Sequence, residues 1–197
     1  MKIEYVNHAC LIVSVDGKKI LTDPWVSGPT WGENLWLFPK ATHSSDYYKD
    51  IDLIYFSHGH EDHLHKESIN WLPRSLRKLP VITADFGKGA EYLKEDLNNL
   101  GFKNVKFLKD EEIFRFTNKI DIKLFINKKD HDSSILIQAD NSSLLHQTDN
   151  LFSSASLKRI SANYNIDILF TLTCRTGPFP GFYKMKSKEK KLAAKNK

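Results

Sequence analysis

The sequence is poor in cysteine and has no long apolar run. Its 197 residues include two cysteines, Cys10 and Cys174, which are too few for a disulfide framework and favour a reducing compartment. No stretch approaches the roughly 20 apolar residues that cross a bilayer, and the N-terminal residues lack the charged and apolar regions of a secretory signal. We therefore expect a cytoplasmic protein without a transmembrane segment.

The net charge of +5 is poor evidence for a nucleic-acid partner. Seven lysines and one glutamate lie in residues 184–197, so the remaining 183 residues carry a net charge of −1. A nuclease would need a basic substrate groove, whereas charge confined to a terminal segment is typical of a solvated tail. We expect a small-molecule substrate rather than nucleic acid, and the sequence indicates no oligomeric state.

Apolar residues are abundant enough for a folded core. They make up 41% of the chain, and aromatic residues make up 12%. A chain of this length and composition suits one globular domain. We predict a domain over residues 1–183, followed by a lysine-rich C-terminal tail over residues 184–197.

Short β-rich runs alternate with turns in the first part of the chain, and helical patterns follow. Strands are predicted at 3–6, 11–15, 19–22, 52–57, 81–84, 105–108, 113–116, 120–126, 134–139, 143–146 and 166–172, and helices at 66–77, 88–100 and 153–162. This order predicts an α+β protein in which two mixed β-sheets are sandwiched between helices.

The connection over residues 24–50 has neither helical nor strand periodicity. It contains Trp25, Trp31 and Trp36. An irregular connection of this length is usually functional or disordered, and its aromatic residues argue against disorder. We predict a packed loop over a pocket, although each tryptophan taken singly is more often a packing residue than a binding residue.

The strongest chemical signal is the segment 57–65, of sequence SHGHEDHLH, which follows a predicted buried strand. Four of the eight histidines of the chain fall within it. A tight loop after a strand end directs several side chains into one small volume. Neutral imidazole together with carboxylate suits Zn²⁺, and also Fe or Mn, better than it suits the thiol-rich sets of structural zinc sites. The segment predicts a metal site, and the alternative is a histidine-rich surface turn.

The arrangement His58-x-His60-x-Asp62-His63 resembles the signature of the metallo-β-lactamase-fold hydrolases. The segments 5–13 (YVNHACLIV) and 19–25 (KILTDPW) are similar to the first strands of that fold. They have the form typical of the branch with N-acyl-phosphatidylethanolamine phospholipase D and the L-ascorbate-6-phosphate lactonases. The tryptophan- and proline-rich loop, Asp132-Ser133-Ser134 and residues 178–183 look closest to the metallo-β-lactamase-like domain of the CMP-N-acetylneuraminate hydroxylase family. The resemblance covers residues 1–183 and implies an αββα sandwich.

The resemblance also implies a binuclear site with two divalent metal ions. Zn is the first expectation for both ions, and Fe and Mn are the alternatives. The first ion would be held by His58, His60 and His131. The second ion would be held by Asp62 and His63, and Asp149 would bridge the two ions. Taken without the resemblance, His131 could be a surface loop histidine and Asp149 a helix N-cap.

Two aspartates receive further roles. Asp62 would both coordinate a metal ion and orient the attacking water, which makes it the expected catalytic residue. Asp23 would hold the second ring nitrogen of a ligand histidine, or else it is a turn residue before Pro24. His65 and His146 are interpreted as structural residues or as partners of the ligands. His8, which begins a strand near the expected site, and His43 stay undetermined.

The resemblance implies a hydrolase that uses a metal-activated water on an ester, phosphodiester, amide or lactone bond of a small substrate. One alternative is an oxidoreductase-associated domain that resembles CMP-N-acetylneuraminate hydroxylase without its Rieske cluster. That cluster needs paired cysteine and histidine ligands, which the isolated Cys10 and Cys174 do not supply. Another alternative is a non-catalytic, truncated member of the fold.

The residues in the C-terminal part of the chain affect how many ligands the second metal ion has. Many enzymes of this fold take a final histidine ligand from a late loop, whereas no histidine follows His146 here. We therefore expect a C-terminally incomplete domain and a second metal ion held less tightly than the first. The alternative is that His65 or His146 fills the position.

Overall fold

The computed structural model describes residues Met1–Thr171, and these residues form two β-sheets with three α-helices. The strands are β1 (Lys2–Asn7), β2 (Cys10–Val15), β3 (Lys18–Thr22), β4 (Leu53–Tyr55), β5 (Val81–Ala84), β6 (Val105–Leu108), β7 (Phe114–Arg115), β8 (Ile120–Asn127), β9 (Asp132–Ala139), β10 (Ser142–His146) and β11 (Ile168–Phe170). The helices are α1 (Lys66–Trp71), α2 (Ala90–Asn99) and α3 (Ser154–Asn163), with short 3₁₀ segments at Ser45–Tyr48, Arg74–Lys78 and Gly87–Gly89. Cys174 and the predicted tail at 184–197 lie outside the described residues, so the domain division stays a prediction.

The helix predicted over residues 66–77 is shorter than expected. Helix α1 ends at Trp71, and a separate 3₁₀ segment begins at Arg74. Pro73 lies between them, and Leu72 before it has an extended conformation with φ −65° and ψ 157°. Proline lacks an N–H group and disfavours helical geometry in the preceding residue, which explains the break.

The first sheet has the strand order β1-β2-β3-β4-β5-β6. Strands β1 to β3 pair antiparallel, and β3 to β6 pair parallel. Because β2 runs opposite to both of its neighbours, β1 points the same way as β4. The turn after β1 and the segments after β3 and β4 therefore share one edge of the sheet.

The second sheet has the order β11-β10-β9-β8-β7, and its middle strands are antiparallel. Side chains on its strands alternate between two apolar clusters, as the twofold period of a strand requires. Leu124 and Ile135 lie in the main core with the first sheet, whereas Phe125 and Leu136 pack with Ile160 of α3. The second sheet is therefore buried on both faces.

The layers follow from this division of apolar side chains. Helices α1 and α2 contribute Ile69, Leu93 and Leu97 to the main core, and α3 contributes Ile160 to the second cluster. The two mixed sheets with outer helices that the sequence predicts are confirmed. None of the helices within residues 1–171 has the length and apolar character that crossing a bilayer requires.

One buried serine joins the two sheets. Ser133 of β9 donates a hydrogen bond from Oγ to the Ser57 carbonyl at 2.7 Å, and its Oγ lies 2.9 Å from the Tyr55 hydroxyl of β4. Because the Ser133 proton goes to Ser57, the Tyr55 hydroxyl is the donor in the second contact. The carbonyl of Ser133 accepts a further hydrogen bond from Thr148 Oγ1. The polar segments after β4 and β10 are thus anchored to one residue.

Ser133→Ala should lower the free energy of unfolding by about 1–3 kcal/mol, because two buried polar groups would lose a hydrogen-bond partner. Urea denaturation followed by circular dichroism measures the change. The exposed Ser161→Ala on α3 is the matched control, with an expected change below about 0.5 kcal/mol. Equal effects of the two substitutions would contradict the role of Ser133.

Candidate metal centre

Histidine and aspartate side chains meet at the edge of the first sheet where β4 ends. They form three overlapping groups, and within each group one possible ligand atom per residue lies within 4.8 Å of the others. The groups are His8, Asp62 and His63; His58, His60 and Asp132; and His58, His63 and Asp149. Because His58 and His63 are shared, we treat these seven residues as one His/Asp cluster.

The cluster is assembled from four separate parts of the chain. The loop after β4 supplies its four members within residues 58–63 and is closed by hydrogen bonds from the His63 and Leu64 amides to the His60 carbonyl. His8 lies in the turn between β1 and β2, Asp132 begins β9, and Asp149 follows β10. The common edge of the strands, rather than proximity in sequence, brings these parts together.

Asp23 fixes the orientation of His63. Its carboxylate is fully buried and accepts hydrogen bonds from the Ser57 amide at 2.7 Å and the Ser57 hydroxyl at 2.6 Å. Its Oδ2 also lies 2.8 Å from His63 Nδ1, which therefore carries a proton. This contact leaves His63 Nε2 facing the cluster, as is usual for a metal-ligating histidine.

Burial and neighbouring charges shift the pKa values of the cluster in opposite directions. Burial lowers the pKa of His63, but Asp23 and Asp149 outweigh it and raise that pKa to about 10. Burial, together with His63 and His60, lowers the pKa of His58 to about 2, so this ring stays neutral. Neutral imidazole is the form that binds a metal ion, so His58 is already in that form, whereas His63 would release its Nε2 proton when a metal ion binds.

The aspartates of the cluster also differ from each other. Burial raises the pKa of Asp62, but the adjacent ring of His8 and the charge of His63 outweigh it, so that pKa lies below its ordinary range. Burial and the neighbouring Asp149 raise the pKa of Asp132 to about 6. Opposed shifts within one cluster are common at functional sites.

Unpaired buried atoms show that the cluster fits a divalent metal ion. His63 Nε2 and Asp132 Oδ1 are buried and have no hydrogen-bond partner. Such atoms are costly in a folded protein unless a further group satisfies them. Imidazole nitrogen and carboxylate oxygen are suitable donors for Zn, Fe or Mn. The donor chemistry and the unpaired atoms therefore both support divalent metal binding.

The structure brings five of the six predicted ligands together. His58, His60, Asp62, His63 and Asp149 all belong to the His/Asp cluster, and Asp23 contacts His63.

His131 is the predicted ligand that the structure leaves out of the cluster. Its side chain is exposed and packs beside Phe86, with a ring distance of 5.7 Å. Its neighbour Asp132 is buried, with Oδ1 3.6 Å from His58 Nε2. His131 precedes β9 and has a left-handed backbone with φ 57°, whereas Asp132 is the first residue of the strand, so the alternation of a strand does not bring His131 to the cluster.

Two members of the cluster were missed from the sequence. His8 Nε2 lies 3.1 Å from Asp62 Oδ2, although His8 is 54 positions earlier in the chain. The strand order would have placed its turn beside β4, but sequence alone does not give that order. In the sequence, Asp132 is marked only as part of the Asp-Ser-Ser segment that enters β9.

The other histidines near the cluster in sequence have different surroundings. His65 caps α1, where its Nδ1 accepts a hydrogen bond from the Ser68 amide at 3.1 Å, and its Nε2 lies 3.1 Å from the Pro29 carbonyl. Both of its ring nitrogens are therefore engaged. His146 is buried against Phe170, burial lowers its pKa to about 3, and it belongs to none of the three groups.

Comparison with known proteins assigns the chain to a protein family. The family profile described as "Beta-lactamase superfamily domain" matches residues 2–191. The chain therefore belongs to the beta-lactamase superfamily domain family, and its fold is the metallo-β-lactamase fold. The resemblance that the His-x-His-x-Asp-His segment indicated is confirmed.

The relatives with similar sequences include hydroxylases. The cytidine monophosphate-N-acetylneuraminic acid hydroxylase of Mus musculus is 29% identical over 108 residues, which are 53% of this chain and 18% of the mouse protein. The chain thus matches less than a fifth of that relative's length.

Two solved structures have the same fold. The isothiocyanate hydrolase from Delia radicum gut bacteria has a TM-score of 0.68 at 17% identity, and the match covers 86% of this chain and 70% of that one. The diiron β-hydroxylase CmlA from Streptomyces venezuelae has a TM-score of 0.60 at 22% identity, and the match covers 85% and 33%. At these identities the similarity establishes a shared fold.

Asp23→Asn should weaken metal binding by about 10- to 100-fold, the usual effect of removing a group that orients a ligand. An amide nitrogen in place of Oδ2 would put a donor where the Ser57 hydroxyl and His63 Nδ1 both require an acceptor. Competition with a chromogenic chelator measures the affinity. Asp16→Asn, in the turn at the far end of β2 and β3, is the matched control and should bind metal as the wild type does. Unchanged affinity in Asp23→Asn would contradict this role.

Proposed function

We propose that this chain is a metal-dependent hydrolase that uses a metal-activated water on an ester, phosphodiester, amide or lactone bond of a small substrate. The observation that carries the proposal is the His/Asp cluster beyond the end of β4, in which His63 Nε2 and Asp132 Oδ1 are buried and unpaired. The similarity to an isothiocyanate hydrolase of the same fold supports it.

Two divalent ions fit this proposal, with Zn as the first choice and Fe or Mn as alternatives. One ion would lie among His58, His60 and Asp132, and the other among His8, Asp62 and His63, with Asp149 between them. His8 supplies the second position with a third donor, so a weak second ion no longer follows from the absence of a late histidine. When bound, the ions would lower the pKa of a water molecule and polarise the bond to be broken.

The protein groups would act on the orientation of the reactants. Asp62 would accept a proton from the attacking water and hold that water toward the substrate, because its carboxylate lies in the loop after β4 beside His8 and His63. The hydrogen bonds of Asp23 to Ser57 and His63 would keep that loop in one conformation. Preorganised donors and acceptors of this kind lower the cost of reaching the transition state.

Asp132→Asn and His131→Ala test which of these two adjacent residues is a ligand of the ion proposed to lie beside His58 and His60. Asp132→Asn should lose most of the metal bound at that position, because a carboxylate donor becomes a neutral amide. His131→Ala should keep its metal, because the His131 side chain is exposed and belongs to none of the three groups. Elemental analysis after dialysis measures both variants. Metal loss in His131→Ala with full retention in Asp132→Asn would return the ligand role to His131.

Asp62→Asn should reduce the hydrolytic rate by about 10²-fold or more while the protein stays folded, as for a positioned acid–base group. The measurement is turnover on a panel of phosphodiesters, lactones and N-acyl compounds with Zn- or Mn-loaded protein. Asp140→Asn, in the turn at the other end of β9, is the control and should keep the wild-type rate. Absence of activity on every panel member, in protein that holds two metal ions, would count against the hydrolase proposal.

An oxidoreductase function is the second candidate. The set His58, His60 and Asp132 combines two imidazoles with one carboxylate, which is typical of non-haem Fe(II) sites. The hydroxylase relative and the diiron β-hydroxylase of the same fold favour this candidate. Cys10 and Cys174 are isolated, so this chain would work without a Rieske cluster of its own. Oxygen consumption by Fe(II)-loaded protein with an electron donor, absent in Zn-loaded protein, would support it over hydrolysis.

A further inference from the structure

The long connection between β3 and β4 contains a small hairpin. Thr30 and Leu35 pair through two backbone hydrogen bonds, of 2.9 Å and 3.2 Å, and enclose residues 31–34. Trp31, Gly32 and Glu33 have positive φ values of 54°, 62° and 65°. Asn34 Nδ2 also donates a hydrogen bond to the Trp31 carbonyl at 2.6 Å. This tip loop, residues 30–35, is therefore held in a defined conformation before any ligand binds.

Trp31 contacts three successive residues of the metal segment. Its backbone N–H donates to Glu61 Oε2 at 2.7 Å, and its indole Nε1–H donates to Asp62 Oδ1 at 3.2 Å. Its ring lies edge-on to the His60 ring, with centroids 5.6 Å apart. The Trp31 side chain is nevertheless 45% exposed, so core packing does not explain its position.

The hydrogen bond from Trp31 divides the two oxygens of Asp62 between different partners. Oδ1 accepts from the indole, whereas Oδ2 lies 3.1 Å from His8 Nε2 and 3.8 Å from His63 Nε2. An aspartate carboxylate can rotate about its Cβ–Cγ bond. With Oδ1 held by the indole, Oδ2 is the atom that faces the other two members of its group.

We propose that Trp31 is a positioning residue for Asp62, whose indole N–H directs Asp62 Oδ2 toward the metal position formed with His8 and His63. The proposal rests on the proposed function, because it requires that Asp62 binds a metal ion. Under this proposal, the connection over residues 24–50 helps to set how tightly one of the two positions binds its metal ion.

Trp36, directly after the tip loop, provides a matched control. Trp36 is 63% exposed, and its Nε1–H donates to the Glu33 carbonyl at 2.9 Å, within the same connection. Trp36 therefore has the exposure and the local hydrogen bond of a loop tryptophan without a contact to Asp62. Trp31→Phe and Trp36→Phe each keep an aromatic ring and remove one indole N–H.

The test is titration of Zn²⁺ or Mn²⁺ into apoprotein, with stoichiometry and affinity measured by calorimetry. We expect two equivalents in the wild type and in Trp36→Phe. Trp31→Phe should keep one equivalent unchanged and bind the other at least about tenfold more weakly, the effect of losing a partner of a metal ligand.

A double-mutant cycle separates positioning from a general effect on the fold. If Trp31 acts through Asp62, adding Trp31→Phe to Asp62→Asn should cause no further loss of metal affinity. Additive losses, or equal weakening by Trp36→Phe, would overturn the proposal, as would a Trp31→Phe titration identical to the wild type. If the wild type itself bound no second equivalent, the proposed binuclear site would fail together with this inference, whereas the other outcomes affect Trp31 alone.

Discussion

The buried carboxylate of Asp23 is the interaction on which the geometry of the metal centre depends. A charge without solvent is costly unless hydrogen-bond donors surround it, and Asp23 has the Ser57 amide, the Ser57 hydroxyl and His63 Nδ1. These contacts join the end of β3 to the loop after β4. Because one carboxylate sets both the loop conformation and the ring orientation of His63, a change at Asp23 affects the whole cluster.

The two sheets supply different parts of the centre, and their packing brings those parts together. The first sheet ends in the turn that carries His8 and in the loop over residues 58–63, whereas the second contributes Asp132 and Asp149. Ser133 connects the sheets directly below this edge through its contacts with Ser57 and Tyr55. The apolar core thus stabilises the two sheets, and the polar residues at their edge remain available to bind a ligand.

The donor set, more than the fold, selects the chemistry. The metallo-β-lactamase fold is shared by a solved hydrolase and a solved diiron hydroxylase, and a fold of this kind hosts several activities. Asp132 beside His58 and His60 adds a carboxylate where the resemblance implied a third imidazole. Oxygen donors favour Fe and Mn relative to an all-histidine set, so Asp132 as the proposed ligand would favour those ions.

The sequence by itself determined the elements and the metal segment, because these depend on residues close together in the chain. The alternating apolar pattern predicted the strands, and the spacing of His58, His60, Asp62 and His63 predicted their convergence. Only the tertiary structure decided that His8 and Asp132 join the cluster and that His131 stays outside. The order of strands places the β1–β2 turn beside β4, and the start of β9 determines which of two neighbouring residues faces inward. Neither property is encoded in local spacing, since both arise when distant strands pair and two sheets pack.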